Sequence, residues 1–457
     1  MLQLRLKLMK SILILGGGKS CTVLIEYLSS HAAEDGYHIV IADADADSVR
    51  DKVGMLPAVA VVEFTLEDTL TLENLVREAT IVVSMLPAHL HIPVAHECLK
   101  QRRNMVTASY VSPEMEQLHQ AAQERGLLFL NEMGVDPGID HMSAMRVIER
   151  IKSEGGIMTG FESFTGGLIA PECEHDNPWR YKFTWNPRNV VLAGQGTAKF
   201  VQMGKYKYIP YHRLFRRTEI INIPGWGTFE GYGNRDSLKY RSSYGLQDIP
   251  TMYRGTLRRP GFCRTWDAFV LLGATDDSYI MEGSENMTKR DFINSFMSYN
   301  LHDSVELKLA HYLNLDLDSE EMYKLKWLGI FDNVPVGLKK PSTPAQMLQK
   351  ILEDKWSLQP DDKDMLVMWH RFNFTLRGEQ KEIHASMVSI GQDALHTAMA
   401  KTVGLPVAIA VRKILKGEIA LTGVHIPTLA AIYNPVLDEL ETQGIVFEER
   451  EVEPSFY

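Results

Sequence analysis

The sequence contains few cysteines, and they lie far apart. Its 457 residues include four, Cys21, Cys98, Cys173 and Cys263, and no two of them form a C-x-x-C pair. This usage argues against a disulfide framework and against a cysteine-based zinc site, and it is typical of reduced thiols inside a cell. We therefore expect a cytoplasmic protein that holds no metal ion.

Long apolar runs and an excess of positive charge are missing as well. No apolar stretch reaches the roughly 20 residues that cross a bilayer, so we expect no membrane association. The formal net charge of −10 argues against nucleic acid as a partner. A content of 45% hydrophobic and 23% charged residues is typical of a globular protein. The length of the chain predicts two or three domains.

The first eight residues differ from a signal peptide. Leucines alternate with polar residues there, and the longer apolar core and small-residue cleavage site of a signal peptide are missing. We interpret these residues as an extension and expect the natural chain to begin at Met9.

A strand, a glycine turn and a helix follow one another near the start of the chain. Ile12–Leu15 is an unbroken apolar run that predicts a buried strand, and apolar residues recur at helical spacing from Cys21 onward. Gly16, Gly17 and Gly18 lie between them. In this arrangement the backbone amides at the helix N-terminus face a pyrophosphate. Cys21 replaces the third glycine of the usual fingerprint, so an ordinary turn is the alternative.

An acidic residue ends the second predicted strand, Tyr37–Asp43. Asp43 lies close to where a carboxylate accepts hydrogen bonds from the ribose hydroxyls of a dinucleotide. Because a carboxylate repels a 2′-phosphate, this position favours NAD over NADP. The alternative is a turn or helix-capping role, which Asp45 or Asp47 nearby could also fill.

Strands and helices alternate up to about residue 132, which predicts a parallel, doubly wound sheet. Further strands are expected at residues 59–64, 81–86, 105–109 and 127–130. Ligands bind beyond the carboxyl ends of such strands. The loop Asn131–Met142 follows the last strand, and it combines Asp136, Asp140 and His141 with a proline and two glycines. Its composition predicts a defined shape, with Asp140 as an alternative helix cap.

The pattern changes after about residue 155. Strands at residues 157–164, 217–223 and 253–257, separated by long loops, predict a second α/β domain. Residues 289–356 have a helical pattern without strand signals, and residues 364–376 read as a long strand. Helices are expected at residues 394–416 and 432–443. In the long loops, aromatic residues beside arginines suit a ligand with several carboxylates.

The order of several motifs resembles saccharopine dehydrogenase, the glutamate-forming enzyme, over nearly the whole chain. The motifs are Ser84-Met-Leu-Pro87, Val106-Thr-Ala-Ser-Tyr-Val-Ser-Pro113, Gly134-Val-Asp-Pro-Gly-Ile-Asp-His141, Asn177-Pro-x-x-Tyr-Lys-Phe-x-Trp185, Asn234-Arg-Asp-Ser237 and Arg254-Gly-Thr-Leu-Arg258. The fourth and fifth are specific to this family, whereas the glycine loop is not.

The resemblance implies three structural parts and a reaction. The parts are a Rossmann domain at residues 1–132 completed by about 392–457, a mixed α/β domain at 133–288 and 357–391 that binds substrate and dimerises, and an all-helical insertion at 289–356. The reaction oxidises saccharopine, with a nicotinamide cofactor and water, to L-glutamate and 2-aminoadipate 6-semialdehyde in lysine metabolism. A homodimer is implied as well.

The resemblance also implies roles for individual residues. The residues implied to contact substrate are Ser109, Tyr110, Asp136, Arg235, Gly255, Thr256 and Leu257. Those implied to bind the cofactor are Gly16, Gly17, Gly18, Lys19, Ser20, Cys21, Asp43, Ala44, Ser84, Leu86, Val135, Asp136, Pro137 and Trp185. Family members that use NADP carry an arginine where this chain has Ala44, which again favours NAD.

The catalytic base is left open between three residues. His91 and His141 titrate near neutral pH, and Asp136 lies in the loop that is implied to contact both ligands. Each has a structural alternative: packing on a helix face for His91, hydrogen bonding at a helix start for His141 and ligand positioning for Asp136.

Three departures from the family pattern leave the substrate open. Lys19 replaces an aromatic residue, Ala88 replaces a tyrosine, and Ile169 replaces a proline. Two other functions are therefore considered, a related imine-reducing dehydrogenase of the carboxyspermidine type and a non-catalytic NAD(H)-binding protein. A polyamine-type substrate would favour acidic and aromatic walls over Arg235 and Arg258.

Overall fold

The structure is a computed structural model that describes residues 9–454. The extension expected ahead of Met9 lies outside the described residues. The chain divides into two compact units. Of the described residues, the first unit contains those up to Ile157 with Met387–Gly391 and Leu395–Glu448, and the second contains Met158–Ser386, Gln392–Ala394 and those from Glu449 on.

The described residues form sixteen strands and sixteen α-helices. The strands are β1 Lys10–Leu15, β2 Tyr37–Asp43, β3 Val59–Glu63, β4 Ile81–Ser84, β5 Asn104–Val106, β6 Leu128–Leu130, β7 Ile157–Ile169, β8 Ala198–Gln202, β9 Lys205–Ile209, β10 Glu219–Ile223, β11 Gly227–Gly233, β12 Thr251–Arg258, β13 Asp364–Leu376, β14 Glu379–Ile390, β15 Gly423–His425 and β16 Glu448–Val452. The helices are α1 Thr22–Asp35, α2 Ala46–Val53, α3 Thr69–Glu78, α4 His91–Gln101, α5 Pro113–Glu116, α6 His119–Glu124, α7 Ile139–Ser153, α8 Pro187–Val191, α9 Tyr211–Leu214, α10 Phe262–Leu272, α11 Lys289–Asn294, α12 Val305–Leu313, α13 Glu320–Trp327, α14 Pro344–Trp356, α15 Ala398–Leu415 and α16 Ala430–Thr442.

The first unit contains a parallel sheet of seven strands in the order β15-β6-β5-β4-β1-β2-β3. Its central strand β1 is buried from Ser11 to Leu15, because it pairs with β2 and β4 and helices cover both faces. This doubly wound arrangement confirms the predicted Rossmann fold. The sequence did not predict β15, a three-residue strand that pairs with β6.

A late helix completes the first unit. Helix α15 packs against α1 so closely that a Cβ atom on Gly404 would lie 2.9 Å from the backbone nitrogen of Leu24. Only glycine allows two helices to approach to this distance. Strand β15 and helix α15 therefore make residues 395–448 part of the same hydrophobic unit as the described residues up to Ile157.

The second unit contains a mixed sheet of nine strands. Strand β12 is parallel to β7 and antiparallel to β11, and β13, β14 and β16 extend the sheet beyond β7. Fully buried aromatic residues form its core, among them Trp179, Trp266 and Trp356. The predicted second α/β domain is confirmed, and β13 has the predicted bounds. Between residues 289 and 356 the described α-helices are α11 to α14.

No helix in the described part of the chain combines the length and the apolar character that a membrane crossing needs. Within residues 9–454, no group of three or more His, Cys, Asp or Glu side chains is arranged to hold a metal ion.

Candidate cofactor and substrate site

The glycine loop makes a tight turn between β1 and α1. Gly16 has a φ of +93°, and a Cβ atom there would lie 3.1 Å from the backbone of Met85. Gly18 is exposed, and its N–H donates to no group in the described residues. An unpaired amide in open space just ahead of a helix N-terminus suits a phosphate oxygen. The loop therefore fits the pyrophosphate of a dinucleotide.

Cys21 stabilises the glycine loop with a hydrogen bond from its buried side chain. It is buried, and its thiol donates to the carbonyl oxygen of Gly16 at 3.4 Å. Burial raises the pKa of this thiol to about 12, so it stays protonated at neutral pH. Cys21 thus packs where the third glycine of the usual fingerprint would lie. Lys19 is exposed and Ser20 is half-buried beside it.

The Asp43 carboxylate already accepts two backbone hydrogen bonds. Its Oδ2 accepts from the N–H of Gly17 at 2.6 Å, and its Oδ1 accepts from the N–H of Asp45 at 2.9 Å. Asp43 therefore fixes the glycine loop to the end of β2. Ala44, the next residue, is exposed.

A lysine that the sequence did not single out lies at the same place. The ammonium of Lys52 donates to the carbonyl oxygen of Gly17 and, at 2.8 Å, to that of Gly18. Burial lowers the pKa of Lys52, whereas Cys21 and Asp43 act in the opposite direction. The structure thus places a cation at the glycine loop, close to Asp43.

His91 connects the ends of β4 and β5. Its Nδ1 lies 2.8 Å from the Ser84 hydroxyl, and its Nε2 lies 2.7 Å from the Ser109 hydroxyl and 3.4 Å from that of Thr107. Burial lowers the pKa of His91 to about 4, with a smaller contribution from His89. At neutral pH this imidazole is uncharged and held between hydroxyl groups.

The loop after β6 contains one acidic side chain that is partly accessible to solvent. Among residues 131–145, all of which the structure describes, Asp136 alone is not buried. The Tyr110 hydroxyl donates to its Oδ1 at 3.2 Å. Asp136 precedes Pro137 through a cis peptide bond, and Val135 is buried behind it. Asp136 and Tyr110 are thus the parts of this region that a ligand can reach.

His141 pairs with a buried acid instead of facing a cleft. Its Nε2 lies 2.8 Å from Oε2 of Glu132, and both side chains are fully buried. The other oxygen of Glu132 accepts from the N–H of Val111 at 3.0 Å. Glu132 also has a φ of +58° and donates its N–H to the carbonyl of Ser109. This pair fixes the segment Ser109–Val111 against the start of α7.

In the second unit, the Asn234–Ser237 motif is bound to strand β12. Asn234 donates its N–H to the carbonyl of Arg254 at 2.9 Å, and the Ser237 hydroxyl accepts from the N–H of Arg254 at 3.0 Å. Arg235 lies between them with a φ of +50° and an exposed side chain. The fold therefore brings Arg235 to the strand that contains Gly255–Leu257.

The remaining predicted positions of the second unit belong to its loops and core. Trp185 is half-buried after the Asn177 motif, in which the Asn177 amide donates to the carbonyl of Tyr181 at 2.7 Å. Leu257 and Ile169 are fully buried.

In the first unit, Leu86 is half-buried and Ala88 is exposed just after β4.

Two family models match the sequence. The saccharopine dehydrogenase NADP binding domain matches residues 12–130, and the saccharopine dehydrogenase C-terminal domain matches residues 134–445. The chain belongs to the saccharopine dehydrogenase family. The resemblance inferred from the motifs is thereby confirmed.

Relatives of different length match nearly the whole chain. Saccharopine dehydrogenase (NADP(+), L-glutamate-forming) of Schizosaccharomyces pombe is 31% identical over 451 residues, which are 96% of this chain and 99% of that protein. Mitochondrial alpha-aminoadipic semialdehyde synthase of Mus musculus is 33% identical over 448 residues, but the match covers 47% of that protein. The chain thus spans about half the length of the mouse relative.

A solved structure has the same fold. Apo saccharopine dehydrogenase (L-Glu forming) from Saccharomyces cerevisiae superposes with a TM-score of 0.86 at 27% identity, covering 97% of this chain and 100% of that one. The predicted fold class, a Rossmann domain with a second mixed α/β part and added helices, is confirmed by this match.

The prediction of NAD as the cofactor is wrong. The N-terminal family model describes an NADP binding domain, and the relatives from S. pombe, Pyricularia oryzae and S. cerevisiae carry NADP(+) in their names. The prediction rested on Asp43 and on the alanine at position 44. In the structure the Asp43 carboxylate is engaged by backbone amides, and the ammonium of Lys52 lies close by. The local charge is therefore not set by Asp43 alone.

Sequence reasoning missed Lys52 because no motif contains it. One signal was available, since Val49 and Lys52 are three residues apart and so share a helix face. A Cβ atom on Gly17 would lie 2.6 Å from Val49, so this face packs on the glycine loop. The roles assigned to the other site residues stay predictions.

Proposed function

We propose that this chain is an NADP-dependent saccharopine dehydrogenase that interconverts saccharopine with L-glutamate and 2-aminoadipate 6-semialdehyde. The observation that carries the proposal is the position of Asp136. It is the accessible acid of its loop, it accepts a hydrogen bond from Tyr110, and it follows the same parallel sheet as the glycine loop. The full-length match to the S. pombe enzyme supports the same reaction.

The glycine loop and Lys52 are the groups that would hold the dinucleotide. The Gly18 amide and the start of α1 would bind its pyrophosphate, and Lys52 supplies positive charge beside Asp43. A bound nicotinamide would supply the hydride acceptor for the carbon next to the secondary amine of the substrate. Ser84, at the end of β4, would form the wall beside it.

Asp136 is the proposed proton acceptor of this site. Oxidation of a secondary amine to an imine requires the nitrogen to lose its proton, and water then adds to the imine to release the amine and the aldehyde. Of the three candidate bases, His91 has both ring nitrogens engaged by serine hydroxyls, and His141 is fully buried against Glu132. Asp136 is half-buried and within reach of a ligand.

Arg235 and Ser109 are the proposed contacts to the carboxylates of the substrate. Saccharopine carries three carboxylates, and a guanidinium matches a carboxylate with two parallel hydrogen bonds. The Arg235 side chain is exposed, while its backbone is held by Lys199, whose N–H donates to the Arg235 carbonyl at 2.8 Å. Residues 133–288 and 357–391 are the proposed substrate-binding and dimerising part. The homodimer and the cytoplasmic location stay predictions.

A steady-state assay tests the proposal. The purified chain is incubated with saccharopine and NADP, and formation of NADPH is followed by absorbance. We expect turnover, and we expect Asp136→Asn to lower kcat at least tenfold, because the amide cannot accept the proton. The control is Asp248→Asn, an exposed acid of the second unit. Tight NADPH binding without turnover of saccharopine would contradict the proposal, and turnover of a carboxyspermidine-type imine instead would show a different substrate.

A further inference from the structure

Two serines that end neighbouring strands are joined by one buried imidazole. Ser84 ends β4 and Ser109 follows β5, and the ring of His91 lies between their hydroxyls with contacts of 2.8 and 2.7 Å. Ser84 is fully buried, His91 is 4% exposed, and Ser109 is half-buried at the accessible end. The three side chains form one continuous hydrogen-bonded path through the first unit.

A neutral imidazole gives this path a direction. One ring nitrogen carries a hydrogen and donates, whereas the other has a lone pair and accepts. The two serines must therefore have opposite roles toward the ring. Each serine hydroxyl has a single hydrogen, so the role toward His91 fixes the role that is left for a ligand.

The chemistry of the substrate selects the direction. A carboxylate can only accept hydrogen bonds, so a serine that contacts it must spend its hydrogen there. If Ser109 donates its hydrogen to a substrate carboxylate, the Ser109 oxygen accepts a hydrogen bond from Nε2–H of His91. The Nδ1 lone pair then accepts from Ser84, whose oxygen is left as an acceptor for an N–H donor.

We propose that His91 is a positioning residue that orients Ser109 as a donor toward a carboxylate of the substrate, while the buried Ser84 hydroxyl fixes the tautomer of the ring from the other side. The proposal rests on the proposed function for the identity of this ligand. The Thr107 hydroxyl lies beside this path, 3.4 Å from Nε2 of His91, and it accepts from the N–H of Ser109 at 3.2 Å. An Nε2–H group can be shared by the two hydroxyl oxygens that face it.

Two variants separate the two contacts. The polar end of asparagine takes the place of Nδ1, so His91→Asn retains the contact to Ser84 and loses the contact to Ser109. Glutamine reaches the place of Nε2, so His91→Gln retains the contact to Ser109. We expect His91→Asn to raise the KM for saccharopine about tenfold, which corresponds to the loss of one hydrogen bond. NADPH affinity should stay within threefold of wild type. We expect His91→Gln to leave both that KM and the NADPH affinity within threefold of wild type.

The control is His89→Gln, since His89 is exposed and close in sequence. This control should change neither the KM for saccharopine nor the affinity for NADPH by more than twofold. Equal effects of the asparagine and glutamine variants on the KM for saccharopine, measured on variants whose melting temperatures match, would overturn the proposal. A merely structural histidine would not distinguish the contact to Ser84 from the contact to Ser109.

The tautomer provides a readout that does not depend on turnover. Two-bond 1H–15N spectra of the protein labelled in histidine should show His91 as the Nε2–H tautomer at pH 7. An Nδ1–H tautomer would overturn the proposal. If wild-type protein does not turn over saccharopine, the proposed function fails, whereas the tautomer still decides how the two serines are oriented.

Discussion

Replacement of Lys52 by methionine should weaken the binding of NADPH. The Lys52 ammonium bonds the carbonyls of Gly17 and Gly18, and the carboxylate of Asp43 accepts from the N–H of the same Gly17. Lys52 therefore offsets an acid at the edge of the sheet where this fold places the adenosine ribose. Methionine keeps the length and the apolar stem of the side chain but removes the charge.

The size of the effect follows from the exposure of this site. A hydrogen bond to a charged group contributes about 1.5–3 kcal/mol, which corresponds to about 10- to 150-fold in affinity. Because Lys52 is half-buried and solvent screens part of its charge, we expect the lower end of this range. The dissociation constant of NADPH should rise about 10- to 30-fold.

Fluorescence titration measures this change, with NADH titrated in parallel. The matched control is Arg50→Gln, which removes the same charge from the same helix, where Arg50 pairs with Asp47 at 2.5 Å on the surface. We expect the control to change NADPH affinity less than twofold. A similar loss for NADPH and NADH would mean that Lys52 supports the glycine loop alone. Unchanged NADPH affinity would refute the proposed role of Lys52 in cofactor binding.

Three further predictions concern the substrate, the pH dependence and the core. Arg235→Lys should lower kcat/KM for saccharopine by roughly thirtyfold or more, because an ammonium cannot form the bidentate pair, while NADPH affinity and an Arg213→Lys control stay unchanged. The folded-state pKa of His91, about 4, lies below its ordinary value of 6.5, so its contribution to stability is complete above pH 6.5 and falls by about 3 kcal/mol toward pH 4. In urea unfolding, the difference in free energy between wild type and His91→Gln should be constant above pH 6.5 and should shift by about that amount in favour of the variant toward pH 4. Glu132→Ala removes a buried partner of His141 and should lower the free energy of unfolding by about 3–5 kcal/mol, against less than 1 kcal/mol for the exposed Glu124→Ala.

Much of the fold was predictable because buried parallel strands leave a strong signal. Ile12–Leu15 and Tyr37–Asp43 are apolar on both faces, and the long strand Asp364–Leu376 was predicted with its observed bounds. Strand β15 was missed since three residues are too few to show any periodicity. Its place beside β6 depends on contacts that are distant in sequence.

The candidate site was predictable where it consists of loops after strands. Ser84, Ser109 and Asp136 all follow strands of one sheet, so their proximity followed from the fold. The charge state of His91 and the position of Lys52 were not predictable, because both depend on burial and on partners from other elements. The error about the cofactor has the same origin, since a carboxylate read from sequence carries no information about the hydrogen bonds it already accepts.

The close contact between Gly404 and Leu24 has a consequence for how this protein is made. On the ribosome, strands β1 to β6 emerge early, but helix α15 and strand β15 emerge after most of the second unit has been synthesised. Until then the apolar surface of α1 and the free edge of β6 are uncovered, and such surfaces bind chaperones or aggregate. Nonsense mutations ahead of residue 398 should therefore abolish NADPH binding even though every residue of the glycine loop is retained, and affinity tags are best kept away from this late segment.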